Sequence, residues 1–195
     1  MIEQFHFEEL PLKGAFKIQP FFASDVRGGF IKDYNIDTFR TNGIFHELKE
    51  VFYTISHKGV IRAIHFQLIR QQPKLVRCVS GKIYDVIVDL RHDSPTFGKW
   101  LGFELSEDNR TELLIPAGFG HGYLVLEKSV VSYKCSEVFY GPGDSGIMYN
   151  DPDLAITWPF ERIGGIDKII ISDKDMKLMS FKEYAMSCAT AKSQE

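Results

Sequence analysis

Two histidines sit in apolar runs of strand-forming residues. His65 lies in Gly59-Val60-Ile61-Arg62-Ala63-Ile64-His65-Phe66-Gln67, and His121 closes Pro116-Ala117-Gly118-Phe119-Gly120-His121. An imidazole in such a run is either a core group satisfied by a backbone carbonyl or an active-site group, because buried polar atoms are almost always hydrogen-bonded. As an active-site group it can take up a proton near neutral pH. On a regular strand Ala63, His65 and Gln67 share one face, and Arg62, Ile64, Phe66 and Leu68 share the other. Small Ala63 leaves space beside the imidazole. Tyr133, in Val130-Val131-Ser132-Tyr133-Lys134-Cys135-Ser136, shares its face with Val131 and Cys135. Its phenol therefore points inward, where it must find a partner or serve as an acid. A structural tyrosine would show the same pattern.

A metal site is a second reading of the histidines. Glycine, five residues, then His65 resembles the first half of a cupin metal motif, and Pro116-x-Gly118-x-x-His121 resembles the second. Such sites supply a further histidine and an acid, whereas Gln67 and the pair Gln71-Gln72 stand at those places here. Catalytic zinc or iron takes three strong protein ligands, so two histidines and amides make a poor site, and no metal is expected.

The elements that must position these residues read as strands. Apolar runs of strand length recur between turn signals: 16 to 22, 30 to 34, 51 to 56, 60 to 69, 75 to 79, 82 to 90, 101 to 105, 111 to 115, 122 to 126 and 130 to 138. Even spacing of short strands without a parallel βαβ unit marks an all-β sandwich or barrel. The clearest hairpin is expected at 75 to 90, turning at Ser80-Gly81, with Asp85 on one face with Ile83 and Ile87. Short helices are expected from Asp37, as N-cap, towards Arg40, and near Phe181 to Ala189. The end, Lys192-Ser193-Gln194-Glu195, reads as a frayed tail.

Composition narrows the class. At 195 residues the chain suits one domain, and its 16 Phe and 8 Tyr favour strands and stacking surfaces. A net charge of -3 offers no basic field for nucleic acid. Three widely spaced cysteines without C-x-x-C argue against a disulfide framework or thiolate zinc site and point to a reducing compartment. No apolar stretch approaches a membrane span and the N-terminus lacks a signal-peptide core, so a cytoplasmic protein is expected.

Taken together the residues resemble the deoxysugar-nucleotide 3,5-epimerase family over about residues 14 to 175. The matching segments are Asp25-x-Arg27-Gly28, Arg62-x-x-His65-Phe66-Gln67, Lys74-Leu75-Val76-Arg77-Cys78, Asp85-Val86-x-Val88-Asp89-Leu90-Arg91 and Ser94-Pro95-Thr96-Phe97-Gly98-Lys99-Trp100. Later matches are Ile115-Pro116-x-Gly118-Phe119-x-His121-Gly122, Tyr133-Lys134-Cys135, Asn150-Asp151-Pro152, Ile156-x-Trp158-Pro159 and Ser172-Asp173-Lys174-Asp175. The resemblance implies a single cupin-like jelly roll, residues 176 to 195 forming a short helix and tail. It also implies a homodimer, no cofactor, and a nucleoside-diphosphate 4-keto-deoxysugar as substrate in O-antigen or related glycan biosynthesis. It makes His65 the general base, Asp175 its carboxylate partner, Tyr133 the acid on the other face of the sugar and Lys74 the cation at the C4 oxygen. Arg27, Arg62, His121 and Tyr140 would hold diphosphate, sugar and base, with Gln67 and Lys174 in the same binding set. A catalytically silent sugar-nucleotide-binding cupin is the alternative, though a binder needs no acid and base on opposite faces.

Several positions depart from the family pattern. Ala63 replaces a glycine, Lys32 a glutamate, Glu50-Val51-Phe52 a Gln-Asp-Asn triplet, and one residue is inserted between Tyr133 and Tyr140. If Lys32 and Glu50 approach the base, a lysine donor suits the acceptors of cytosine, so a CDP-linked sugar, epimerised at one carbon, is an expectation beside the dTDP-linked one.

Overall fold

The computed structural model describes residues 2–192; Met1 and, of the expected tail, residues 193–195 lie outside the described residues. The described residues form strands β1 (Ile2–Glu3), β2 (His6–Glu9), β3 (Phe16–Gln19), β4 (Phe21–Asp25), β5 (Gly28–Lys32), β6 (Glu50–Ser56), β7 (Ile61–Gln67), β8 (Lys74–Asp89), β9 (Trp100–Ser106), β10 (Glu112–Ile115), β11 (Phe119–Cys135) and β12 (Asp144–Ile147). A three-stranded sheet has the order β1-β4-β5. A nine-stranded one follows β12-β7-β11-β8-β10-β3-β2, with β6 added on β11 and β9 on β8. This is the expected all-β, cupin-like jelly roll with short helices at its periphery.

Two long strands carry the architecture. β8 and β11 run 16 and 17 residues and pair along their length, from Cys135 opposite Lys74 to Phe119 opposite Asp89. Each half takes a different outer neighbour: β11 pairs with β7 and then β6, while β8 pairs with β10 and then β9. One strand pair thereby serves both layers of the fold, as strands do at sandwich corners.

The expected hairpin at Ser80-Gly81 does not form. Gly81, at φ +76°, kinks one continuous strand, and the pairing with β11 slips in register between Val125 and Val131. A Cβ at Gly81 would lie 2.1 Å from the Lys128 carbonyl oxygen, so only glycine fits this bulge. The two runs 122 to 126 and 130 to 138 are likewise joined in one strand, β11, which ends at Cys135.

Helix α1 (Ile36–Thr41) is capped two residues before the expected position: the Asn35 side-chain oxygen accepts from the Thr38 N–H at 2.9 Å, and Asp37 falls in the first turn. Phe39 from α1 packs with Ile18, Ile44, Leu75 and Leu114. Helix α2 (Phe181–Lys192) opens on a capping box, in which Glu183 accepts from the Ser180 N–H at 2.7 Å and Ser180 Oγ accepts from the Glu183 N–H at 3.2 Å. Between the layers the inward positions are apolar where Val76, Ile83, Ile87, Leu105 and Val125 meet. They turn polar where β6, β7, β8 and β11 converge, and a cavity opens there.

Candidate active site

A bulge in β7 builds one wall of this cavity. His121 pairs with His65, but Tyr123 pairs with Arg62, so two steps on β11 face three on β7. The extra residue turns Arg62 onto the same face as His65, while Ile61 and Ile64 remain in the core behind. Regular alternation placed Arg62 on the opposite face; the bulge overturns that expectation. The guanidinium is held by Ser56 Oγ, at 3.3 Å from Nε and 3.2 Å from Nη2.

Each histidine has its own carboxylate. His65 Nε2 lies 3.2 Å from Asp175 Oδ2, a residue delivered by the short turn Asp175–Lys177 and itself held by its N–H on Ser172 Oγ. The imidazole keeps 28% of its surface open, against 8% for the carboxyl. His121 Nε2 meets Asp85 Oδ2 at 2.8 Å, both groups buried. Burial pushes the Asp85 carboxyl up from its ordinary value, opposed by His121 and then Lys74. The isoleucine face that made Asp85 conspicuous in the sequence is thus the floor under His121. Among the described residues no group of three His, Cys, Asp or Glu side chains is placed to hold a metal ion.

Lys74 and Tyr133 complete the wall. Burial draws the Lys74 ammonium down from its ordinary pKa, against Cys135, Asp144 and Asp85, and no described residue pairs with it. Tyr133 has its ring stacked on Phe52, centroids 4.6 Å apart and planes 10° from parallel, because the two are direct cross-strand partners. Burial, then Tyr123 and Asp85, raises the phenol well above its ordinary value, so it stays protonated.

The cavity, about 470 Å³, brings together His65, Lys74, Tyr133, Glu50, Arg62, Gln67 and His121 of the residues read from sequence, with Asp175 directly behind His65. Four others do not line it. Arg27 and Lys32 border a separate concavity on the three-stranded sheet, where Arg27 pairs with Asp25 and the Lys32 ammonium sits 5.6 Å from the Phe21 ring centroid. Lys174 is tied to Asp144 at the cavity edge. Tyr140 gives its N–H to Gln67 Oε1 at 2.6 Å and stacks under Arg70, while its neighbour Phe139 lines the cavity. Glu50 is already engaged, accepting from Gln72 Nε2 at 2.9 Å and from the Phe139 N–H at 3.0 Å.

Sequence reading made no site residue of Phe52, Thr54, Gln72, Tyr123, Phe139 or Asp144, all of which line the cavity, although Phe52 and Gln72 were noted as departures from known motifs. Period-two alternation puts Phe52 and Thr54 on one face of β6, but only the β6–β11 register sets that face beside Tyr133. Gln72, Phe139 and Asp144 arrive from irregular or terminal segments, where no periodicity operates.

An open-ended cupin-like β fold whose inward polar residues include a carboxylate-backed imidazole is a scaffold for proton transfer on a small bound molecule. The chain belongs to the dTDP-4-dehydrorhamnose 3,5-epimerase family, whose model matches residues 9–183. A dTDP-4-dehydrorhamnose 3,5-epimerase of Methanothermobacter thermautotrophicus is 42% identical over 181 residues, covering 92% of this chain and 96% of that one. The crystal structure of the Bacillus anthracis dTDP-4-dehydrorhamnose 3,5-epimerase with TDP and pyrophosphate bound superposes with a TM-score of 0.85. It is 39% identical and covers 91% of this chain and 100% of its own. A Legionella pneumophila dTDP-6-deoxy-D-glucose-3,5-epimerase in complex with dTDP-4-keto-L-rhamnose gives 0.86 at 32% identity, covering 92% and 94%.

Proposed function

We propose that this chain inverts C3 and C5 of a dTDP-linked 4-keto-6-deoxyhexose, in deoxysugar supply for lipopolysaccharide or related glycans. The 4-keto group acidifies the hydrogens on both flanking carbons. His65 removes one as base, with Asp175 fixing its tautomer and stabilising its charged form. Lys74 holds the enolate oxygen, and Tyr133 returns a proton from the other face. The observation that carries this reading is the cavity itself, which joins His65 backed by Asp175, the Tyr133 phenol and the Lys74 amine. A silent binder has no use for that set. Arg62 and His121 supply polar contacts to sugar and diphosphate, with Gln67 shaping the wall.

For the base, the names of the relatives support thymine. The cytosine expectation needed Lys32 and Glu50 at one base; within one chain they line different cavities and Glu50 is bound to Gln72 and Phe139, so Lys32, like Arg27 beside it, would meet the base only in a second copy. The same geometry supports the expected homodimer. Strand β6 presents Tyr53 and Ile55, 59% and 71% exposed, beside the cavity, and Arg27, which does not line the His65 cavity of its own chain, would serve that of a second copy. Mixing inactive Arg27→Ala and His65→Ala chains should then restore activity in hybrids.

The decisive experiment incubates the protein with dTDP-4-keto-6-deoxyglucose in deuterium oxide and reads C3 and C5 by NMR. Deuterium with inversion at both carbons is expected. Binding without any exchange would establish the silent binder instead, and label at one carbon would define a mono-epimerase.

A further inference from the structure

Proton transfer to and from the sugar employs His65, Asp175, Tyr133 and Lys74 and leaves the Glu50 carboxylate without a task. Glu50 lines the cavity on the same rung as Lys74: it is opposite Cys135 on β11, and Cys135 is opposite Lys74 on β8. Two strand spacings set the Cα atoms of Glu50 and Lys74 about 10 Å apart. The carboxylate is pinned through one oxygen. Gln72 Nε2 donates to Oε2 at 2.9 Å, and the Phe139 N–H donates to the same atom at 3.0 Å. The second hydrogen of Gln72 Nε2 goes to the Glu137 carbonyl at 2.9 Å, so the amide has no freedom to turn. Among the described residues no donor meets Glu50 Oε1, which is left as an acceptor on the cavity wall.

We propose that Glu50 accepts a hydrogen bond from the C3 hydroxyl of the sugar, and so determines which way round the ring sits and which sugars are taken. The inference rests on the epimerase reading above. Lys74 holds the C4 oxygen, and the diphosphate is attached at C1, across the ring. The groups next to Lys74 are therefore those on C3 and C5. C3 carries a hydroxyl and C5 a methyl, so only the C3 side offers a donor to Glu50. A hydroxyl there makes a charge-assisted hydrogen bond, whereas a methyl would leave the carboxylate oxygen desolvated and unpaired. The ring accordingly enters with C3 toward β6. Gln72 acts through Glu50 and is a positioning residue: it holds Oε2 so that Oε1 faces the sugar.

The test compares dTDP-4-keto-6-deoxyglucose with its 3-deoxy analogue, which keeps the ketone and the C6 methyl. The quantity read is kcat/KM for deuterium exchange at C5, or at C3 if wild type labels C3 alone, in wild type, Glu50→Ala and Gln72→Leu. Removal of the C3 hydroxyl should cost wild type about tenfold or more. In Glu50→Ala the two sugars should differ by no more than about twofold, and in Gln72→Leu the discrimination should fall in the same direction. A wild type that treats both sugars alike overturns the assignment without any variant. Undiminished discrimination in Glu50→Ala, or equal slowing of both sugars, overturns it too, the second being the mark of a residue that only shapes the cavity. A wild type that exchanges no deuterium in either sugar defeats the epimerase reading itself.

Discussion

His65 Nε2 and Asp175 Oδ2 stand 3.2 Å apart although 110 positions separate them in the chain. Strand β7 fixes the imidazole, and a single turn near the C-terminus brings the carboxylate behind it, leaving the other ring nitrogen for the cavity. Such a carboxylate sets the tautomer and steadies the imidazolium formed on proton abstraction. Asp175→Asn should therefore cut the rate of deuterium exchange on the order of 10²-fold or more with little change in nucleotide affinity, and His65→Ala should abolish exchange. Exchange kinetics by NMR with dTDP binding by calorimetry separate the two quantities; a parallel loss of affinity would mean that Asp175 shapes the cavity and not the base.

Tyr133 differs from His65 in what its removal should spare. Its phenol is held protonated by burial and by the neighbouring Tyr123 and Asp85. Abstraction by His65 precedes any use of that proton, so Tyr133→Phe should keep deuterium exchange and lose net inversion. In deuterium oxide this variant would return labelled starting sugar. Loss of exchange and inversion to the same extent would remove the two-sided assignment.

Gly81 gives a prediction about the frame. At φ +76°, with the Lys128 carbonyl where a Cβ would go, Gly81→Ala must both strain the backbone and break the β8–β11 bulge. A loss of about 2 kcal/mol or more is expected from urea denaturation midpoints. A variant as stable as wild type would show that the bulge relaxes freely.

The same glycine shows where the sequence stopped being legible. Ser80-Gly81 reads identically whether a strand reverses or kinks, because both need a positive φ and the difference lies in the partner strand. The inward set of His65, Tyr133 and Asp85 was readable because period-two alternation holds in the stretches next to each of them, clear of the bulges. Arg62 was misplaced by one local insertion, since a bulge changes facing without changing composition. The link from His65 to Asp175 came from resemblance, as no local rule joins positions so far apart. The Phe52–Tyr133 stack was hidden until the β6–β11 register was known.

Asp89 offers a pH test independent of the cavity. Its side chain has no exposed surface, and burial alone would push its carboxyl up. Arg91, Ser94 and Thr96 side chains and the Arg91 N–H all donate to it, however, and together hold it at about 2, below the ordinary 3.8. A carboxyl lower in the folded than in the unfolded chain stabilises the fold above its unfolded value, and that contribution fades as pH falls through the folded one. The shift corresponds to about 2 kcal/mol. Asp89→Asn should accordingly be less stable than wild type by about this amount at pH 7, with the gap closing between about pH 4 and pH 2 as wild-type Asp89 gains its proton. Paired urea titrations across that range measure it. A gap that stays constant down to pH 2 would mean that packing of the Ser94–Thr96 turn, and not the charge, is what Asp89 contributes.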